Sequence, residues 1–148
     1  MAVLVTGAAG FIGAATSSAL LERGDEVVGI DNLNDYYDPA LKQARFARLQ
    51  QQFGNRFRFE RIDFADSAAL KGFTDRVEID AIVHLGAQAG VRYSLVNPMA
   101  YVHSNLLGHC NMLALAQERR PRHMVYASSS SVYGGNKSLP FRVEDRVD

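Results

Sequence analysis

Thr6-Gly7-Ala8-Ala9-Gly10-Phe11-Ile12-Gly13 lies between the apolar run Ala2-Val3-Leu4-Val5 and an alanine-rich helical stretch. In such a strand–turn–helix the three glycines have separate uses. Gly7 permits the tight turn, Gly10 lets the backbone approach a diphosphate, and Gly13 lets the helix pack close to the strand. The helix then opens with unpaired N–H groups, from Phe11 and Ile12 onward, and with the positive end of its dipole. A second signal follows. The apolar run Glu26-Val27-Val28-Gly29-Ile30 ends in Asp31. A carboxylate about twenty residues past the glycines, at the tip of a second strand, accepts hydrogen bonds from the ribose hydroxyls of an adenosine. It would repel a 2′-phosphate, so the pattern predicts NAD rather than NADP.

These residues need a scaffold, and the hydrophobic pattern supplies one. Ala2–Thr6 reads as a buried strand and Gly10–Arg23 as a helix with Phe11, Ile12, Ala15 and Ala19 on one face, stopped at Gly24. Val27–Ile30 is the second strand. Asp38 caps a helix that has Pro39 in its first turn, runs to about Gln52 and stops at Gly54. Phe57–Ile62 is a third strand, and Asp66 caps a helix carrying Leu70, Phe73 and Val77. Ala81–Leu85 is a fourth strand. Asn97-Pro98 opens the longest helix, with Met99, Val102, Leu106, Cys110 and Leu113 on one stripe, ended by Arg119-Arg120-Pro121-Arg122. His123–Ala127 is the fifth strand. Repeated strand–helix–strand units predict an α/β fold: a Rossmann-type, doubly wound parallel sheet of order 3-2-1-4-5 with helices on both faces. Its ligand should lie at the carboxyl ends of the strands, where the order reverses.

Composition removes several classes of function. The chain has 148 residues and a formal net charge of zero, so it is sized for one domain and carries no overall field to draw nucleic acid or an anionic membrane. No apolar run is long enough to span a bilayer. Cys110 is the single cysteine and fits a reducing, cytoplasmic setting. His84, His103, His109 and His123 lack metal-ligand spacing, so no metal site is expected.

The same residues resemble the extended short-chain dehydrogenase/reductases, and within them the sugar-nucleotide epimerases and dehydratases. Beyond the glycine turn, Asp63-Phe64 is similar to the pair that contacts adenine in that family. His84-Leu85-Gly86-Ala87-Gln88-Ala89 resembles its fourth-strand motif. Ser104-Asn105-Leu106 resembles the helix motif whose Asn lies near the cofactor, and Ala127-Ser128-Ser129-Ser130-Ser131-Val132-Tyr133-Gly134 resembles the loop carrying the catalytic hydroxyl. Two longer stretches, Asp31–Pro39 and Gln88–Ser94, are similar to the UDP-glucuronate 4-epimerases.

The resemblance implies a cofactor set of Gly7, Gly10, Phe11, Ile12, Gly13, Asp31, Asn32, Asp63, Phe64, Leu85, Gly86, Ala87, Gln88 and Asn105. It implies Ser129 as the catalytic hydroxyl, with Arg92, Ser130 and Ser131 toward a UDP-sugar. It also implies transient oxidation at C4 of a UDP-uronate, and a homodimer formed in part through Asn97–Glu118. The family adds a C-terminal substrate domain, so residues 1–148 are expected to be its NAD-binding domain alone.

Three readings stay open from the residues. Arg92 is equally a surface arginine. The Tyr36-Tyr37 pair either walls the adenosine pocket or packs its own turn. Tyr133-Gly134-Gly135-Asn136-Lys137 satisfies the string Tyr-x-x-x-Lys, but Gly134-Gly135 disfavours the helix that would put both side chains on one face. A fragment without that pair is expected to hold NAD without epimerising. The alternatives are a dehydratase or decarboxylase on the same scaffold, or a non-catalytic dinucleotide-binding module. A dehydratase usually has Asp-Glu after the catalytic hydroxyl, where this chain has Ser130-Ser131.

Overall fold

The computed structural model describes residues 1–147. Five parallel strands, β1 (Ala2–Thr6), β2 (Glu26–Asp31), β3 (Phe57–Arg61), β4 (Ala81–His84) and β5 (His123–Tyr126), lie in the order β3-β2-β1-β4-β5. Their registers bring the carboxyl ends to one edge: Thr6 lies opposite both Ile30 and His84, and His84 opposite Tyr126. The chain reverses direction across the sheet between β1 and β4, which opens a crevice at that edge.

Alternation along the strands divides the core in two. Leu4, Val28, Ile30 and Ile82 point to one face, under α3 (Ser67–Thr74) and α5 (His109–Arg119), with Leu70, Phe73, Met112 and Leu115. Val3, Val5 and Val27 point to the other, under α1 (Phe11–Glu22) and α2 (Pro39–Phe53), with Ala14, Leu21 and Leu49. Each buried Val, Leu, Ile, Phe or Met side chain stabilises the fold by about 1.5–3 kcal/mol. Capping follows the sequence: Asp38 accepts from the Ala40 amide at 2.8 Å and Asp66 from the Ala69 amide at 3.0 Å. Gly24 and Gly54 adopt positive φ beyond the first two helices.

Two helix faces differ from the sequence pattern. On α1 the buried residues are Gly13, Ala14, Ser17 and Leu21, while Phe11, Ile12, Ala15 and Ala19 face outward. Close packing of the glycine turn selects the small-residue face, which leaves Phe11 and Ile12 at the ligand edge. The long helix is α4 (Pro98–Tyr101) and α5 joined by a π-helical stretch, Val102–Gly108. The wider turn shifts the register, so Gly108, Met112 and Leu115 are buried and the stripe Met99, Val102, Leu106, Cys110 and Leu113 is exposed. Gly108 explains the choice of face, because a Cβ there would overlap the Phe64 ring. Val77 lies beyond α3 but packs against the same core. Among the described residues no helix is long and apolar enough to cross a membrane.

Candidate dinucleotide site

The turn after β1 is built around Gly7, at φ +66. The Gly10 amide donates to the Gly7 carbonyl at 2.9 Å, and the Ala8 amide donates across to the Ile30 carbonyl at 3.1 Å. A Cβ on Gly13 would collide with that Gly7 carbonyl and with Ala8, so Gly13 packs on the turn itself rather than on the strand. A Cβ on Gly10 would meet only the Gly7 carbonyl. Gly10 caps α1 without a side chain and no acidic residue follows in the first turn. The amides of Phe11, Ile12 and Gly13 therefore have no acceptor within the helix. This end of α1 fits a diphosphate: donors point outward, the dipole is favourable, and no carboxylate opposes it.

Asp31 closes β2 as a buried carboxylate. Its Oδ1 accepts the Leu33 amide at 2.8 Å and lies 3.5 Å from the Lys42 ammonium. Lys42, also buried, donates to Asn34 Oδ1 at 2.8 Å. The second oxygen of Asp31 has no hydrogen-bond partner among the described residues. Sequence reasoning missed Lys42. The available signal was electrostatic: a lysine in the opening turn of α2 sits against the positive end of the helix dipole, and a nearby carboxylate explains it.

On the far wall, Thr6 Oγ1 accepts the Leu85 and Gly86 amides at 3.1 and 2.9 Å. With both lone pairs used, its hydrogen goes to His84 Nδ1, 2.7 Å away. This network assigns the His84 proton to Nε2. Burial, together with the charge of His109, lowers the His84 pKa to about 4, so His84 is neutral at pH 7 and acts as an acceptor that fixes the turn after β4. Asn105 fixes Gln88, two residues on: its Oδ1 accepts the Gln88 amide at 2.8 Å and its Nδ2 donates to the Gln88 carbonyl at 3.0 Å.

Between these walls lies a cavity of about 470 Å³. It is lined by Gly7, Gly10, Phe11, Ile12, Gly13, Asp31, Asn32, Phe64, Leu85, Gly86, Ala87 and Gln88, all singled out in the sequence. Asn34, Tyr36, Tyr37, Leu41, Lys42, Arg45, Ala89 and Ser104 complete the lining. Asp63 and Asn105 are not part of it. Asp63 receives Asn32 Nδ2 at 3.1 Å and faces His103 Nε2 at 3.0 Å. Burial alone would raise its pKa, but hydrogen bonds from the Ala65 amide, His103 and Asn32 hold it below the usual carboxylate range. Both residues bear on the cavity through neighbours that line it, Asn32 and Gln88.

The remaining candidates lie outside this cavity. Ser129, Ser130 and Ser131 follow β5 at the same edge of the sheet and are exposed. The Ser131 amide donates to Ser129 Oγ at 3.2 Å. Arg92 is exposed on the turn Val91–Leu95 after β4. Tyr133 ends the short 3-10 turn Ser130–Tyr133, and Gly134 adopts φ +53, so Tyr133 and Lys137 do not share a helix face.

Known proteins match this arrangement. The model of the NAD dependent epimerase/dehydratase family matches residues 3–147. A UDP-glucuronate 4-epimerase 3 of Arabidopsis thaliana is 51% identical over 147 residues, 99% of this chain and 34% of that protein. A probable UDP-glucuronate 4-epimerase of Rhizobium meliloti is 47% identical, over 100% of this chain and 43% of its own length. Among solved structures, a UDP-glucuronic acid 4-epimerase from Bacillus cereus, in complex with UDP-glucuronic acid and NAD, superposes with a TM-score of 0.83 at 34% identity, covering 99% of this chain and 45% of that one. The chain thus spans less than half the length of these relatives. With the family model matched over nearly every residue and the glycine turn, acidic strand tip and crevice in place, the chain belongs to the NAD dependent epimerase/dehydratase family.

Proposed function

We propose that this chain is the NAD-binding part of a nucleotide-sugar 4-epimerase that acts on a UDP-uronate. One observation carries the reading: a single cavity has the open amides of α1 at its diphosphate end and the buried Asp31 carboxylate at its adenosine end. The relatives named above supply the substrate class.

In this reading the amides of Phe11, Ile12 and Gly13 hold the diphosphate. Asp31 takes a ribose hydroxyl while Lys42 keeps its charge balanced, and Phe64 packs against the adenosine. Asp63 and Asn105 act through Asn32 and Gln88. Bound NAD⁺ would accept hydride from C4 of the sugar and return it to the opposite face. Ser129 would hydrogen-bond the reacting oxygen, beside Ser130 and Ser131. Arg92, with no protein partner for its guanidinium among the described residues, suits the uronate carboxylate or the sugar diphosphate through paired N–H donors. A second copy of the chain would cover the exposed apolar stripe of α4 and α5.

The family resemblance implies that an ionised tyrosine, paired with a lysine one helical turn away, removes the proton from the sugar hydroxyl. Tyr133 and Lys137 are the only pair at that spacing, and they do not lie on a helix. The 148-residue chain is therefore proposed to bind NAD without turnover, which keeps the reading of a non-catalytic dinucleotide module alive for this chain. A coupled test separates the outcomes: titration with NAD⁺ and assay for interconversion of UDP-glucuronate and UDP-galacturonate. Saturable binding without turnover supports the proposal. Robust epimerisation would refute the inactivity, and absence of binding would refute the whole reading.

A further inference from the structure

The two stretches that narrow the resemblance, Asp31–Pro39 and Gln88–Ser94, meet in space. Tyr36 leaves the turn after β2 and reaches the turn after β4. Its ring lies 4.8 Å from Tyr93 and 4.7 Å from Tyr37. Its hydroxyl fills the space a side chain on residue 90 would need, and Gly90 adopts φ +93 there. From the other side Tyr101, on α4, donates its hydroxyl to the Gly90 carbonyl and to the Ala89 carbonyl, the latter at 3.1 Å. Tyr93 is tied to the cap of α4 through Asn97 Nδ2 at 3.3 Å. Gly90 is thus held between two tyrosines from different elements.

The placement matters because Tyr36, Tyr37 and Ala89 line the cavity, whereas Tyr93 and Tyr101 do not. Tyr36 lines the cavity from the β2 side, and Gly90 adjoins Ala89, which lines it from the β4 side, so their contact joins the two walls. A dinucleotide carries a bulky base at each end, so a contact that ties the two walls together resists its entry and release. Tyr36 lies in a turn outside any strand or helix, Gly90 is held by a single backbone bond from the Tyr93 amide at 3.0 Å, and Tyr36 and Tyr101 are only half-buried. A contact between half-buried side chains and a loop carbonyl separates at low cost.

We propose that Tyr36 and Tyr101 are positioning residues for the cofactor: they clasp Gly90, hold the two walls of the crevice together, and let the dinucleotide in or out when the clasp opens. The proposal rests on the reading that this crevice binds NAD. It accounts for the joint presence of the Tyr36-Tyr37 pair and the Gly90–Tyr93 stretch through their mutual contact, with no need for either to touch the sugar.

A clasp and a wall differ kinetically. Loss of a wall contact raises only the dissociation rate and weakens affinity in step. Loss of a clasp raises association and dissociation together and leaves affinity nearly constant. Stopped-flow NADH fluorescence on the wild type, Tyr101→Phe and Tyr36→Ala decides between them. Tyr101→Phe removes one hydroxyl that lies outside the cavity. It is expected to raise both rates about fivefold with the Kd held within about twofold, the scale of a lost hydrogen bond. Tyr36→Ala is expected to raise both by about tenfold, the scale of an aromatic contact. Because Tyr101→Phe keeps its ring and packing, it carries the test if Tyr36→Ala fails to fold. Unchanged rates in Tyr101→Phe, or faster dissociation alone in both variants, would overturn the clasp. A wild type that shows no NADH signal would overturn the binding reading itself, and this inference with it.

Discussion

The crevice between β1, β2 and β4 and the segment that follows β5 differ in how firmly the chain specifies them. In the crevice almost every feature is fixed twice. Gly13 is required by the Gly7 carbonyl it covers, Thr6 and His84 lock the turn at Gly86, and Asp31 is buried beside Lys42. After β5, Ser129 to Ser131 are exposed and bonded mainly to one another, and Tyr133 stacks only on Phe141, with ring centroids 4.6 Å apart. The lesson is that cofactor binding in this fold is carried by backbone and strand tips, which one sheet can complete. Positioning the chemistry requires further packing around the serine loop.

Substitutions on the two sides should therefore behave unlike one another. The largest effect is expected at Gly13. A methyl group there meets backbone rather than a flexible side chain, so Gly13→Ala must displace the turn. Overpacking of this kind costs about 1–3 kcal/mol or more, and NAD⁺ affinity should fall by more than about a hundredfold, measured by calorimetry beside a thermal melt. Retained affinity would mean that the turn is looser than its contacts imply.

Next comes Asp31→Asn, which keeps an acceptor for the Leu33 amide but removes the charge. A hydrogen bond to a charged group contributes about 1.5–3 kcal/mol. NADH should then bind about ten- to a hundredfold more weakly, and discrimination against NADPH should shrink. Equal loss for both cofactors would show that Asp31 shapes the pocket without reading the ribose.

A smaller effect separates the regions by pH. Burial lowers the folded-state pKa of His84 to about 4, while an unfolded histidine titrates near 6.5. Between those values the unfolded chain binds the extra proton, so stability is full above about pH 6.5 and falls as the pH drops toward 4, with a slope of at most about 1.4 kcal/mol per pH unit. Protonation would also set an N–H at Nδ1 against a Thr6 hydroxyl whose lone pairs are already taken. Urea melts from pH 7 to about pH 5 stay above the range in which Asp63, with its lowered pKa, changes the stability. They should show this slope in the wild type and lose it in His84→Asn. A slope that survives the substitution would place the proton elsewhere.

The smallest effect is expected across the sheet edge. Ser129→Ala removes an exposed hydroxyl outside the cavity, so NAD⁺ affinity and stability should each change by less than about 0.5 kcal/mol. A marked loss of affinity would draw the serine loop into the cofactor site and erase the contrast.

The sequence made legible what depends on local chemistry. Glycine spacing, the caps Asp38 and Asp66, and the apolar strands anticipated the sheet order and the ends of the cavity at the glycine turn and Asp31, while Asn32, Phe64, Leu85, Gly86, Ala87 and Gln88 were anticipated only through the family resemblance. Side-chain orientation was less legible. A helical pattern could not show that Gly108 would pack on Phe64 and insert a π-helical stretch, which turned the stripe Met99–Leu113 outward. Nor could periodicity reveal that α1 buries Ser17 and exposes Phe11. The Tyr36–Gly90 contact was hidden because it joins segments far apart in sequence that only the fold brings together, whereas Lys42 lies eight residues from its partner Asn34 and was marked only by being a lysine in the opening turn of α2.

The central claim is that open amides at the start of α1 and the Asp31 carboxylate form one dinucleotide site. Calorimetric titration of the folded 148-residue chain with NAD⁺ tests it most directly. The expected result is a saturable isotherm with one site per chain, weakened by Asp31→Asn. An isotherm flat at millimolar NAD⁺, with the protein still folded, would contradict it.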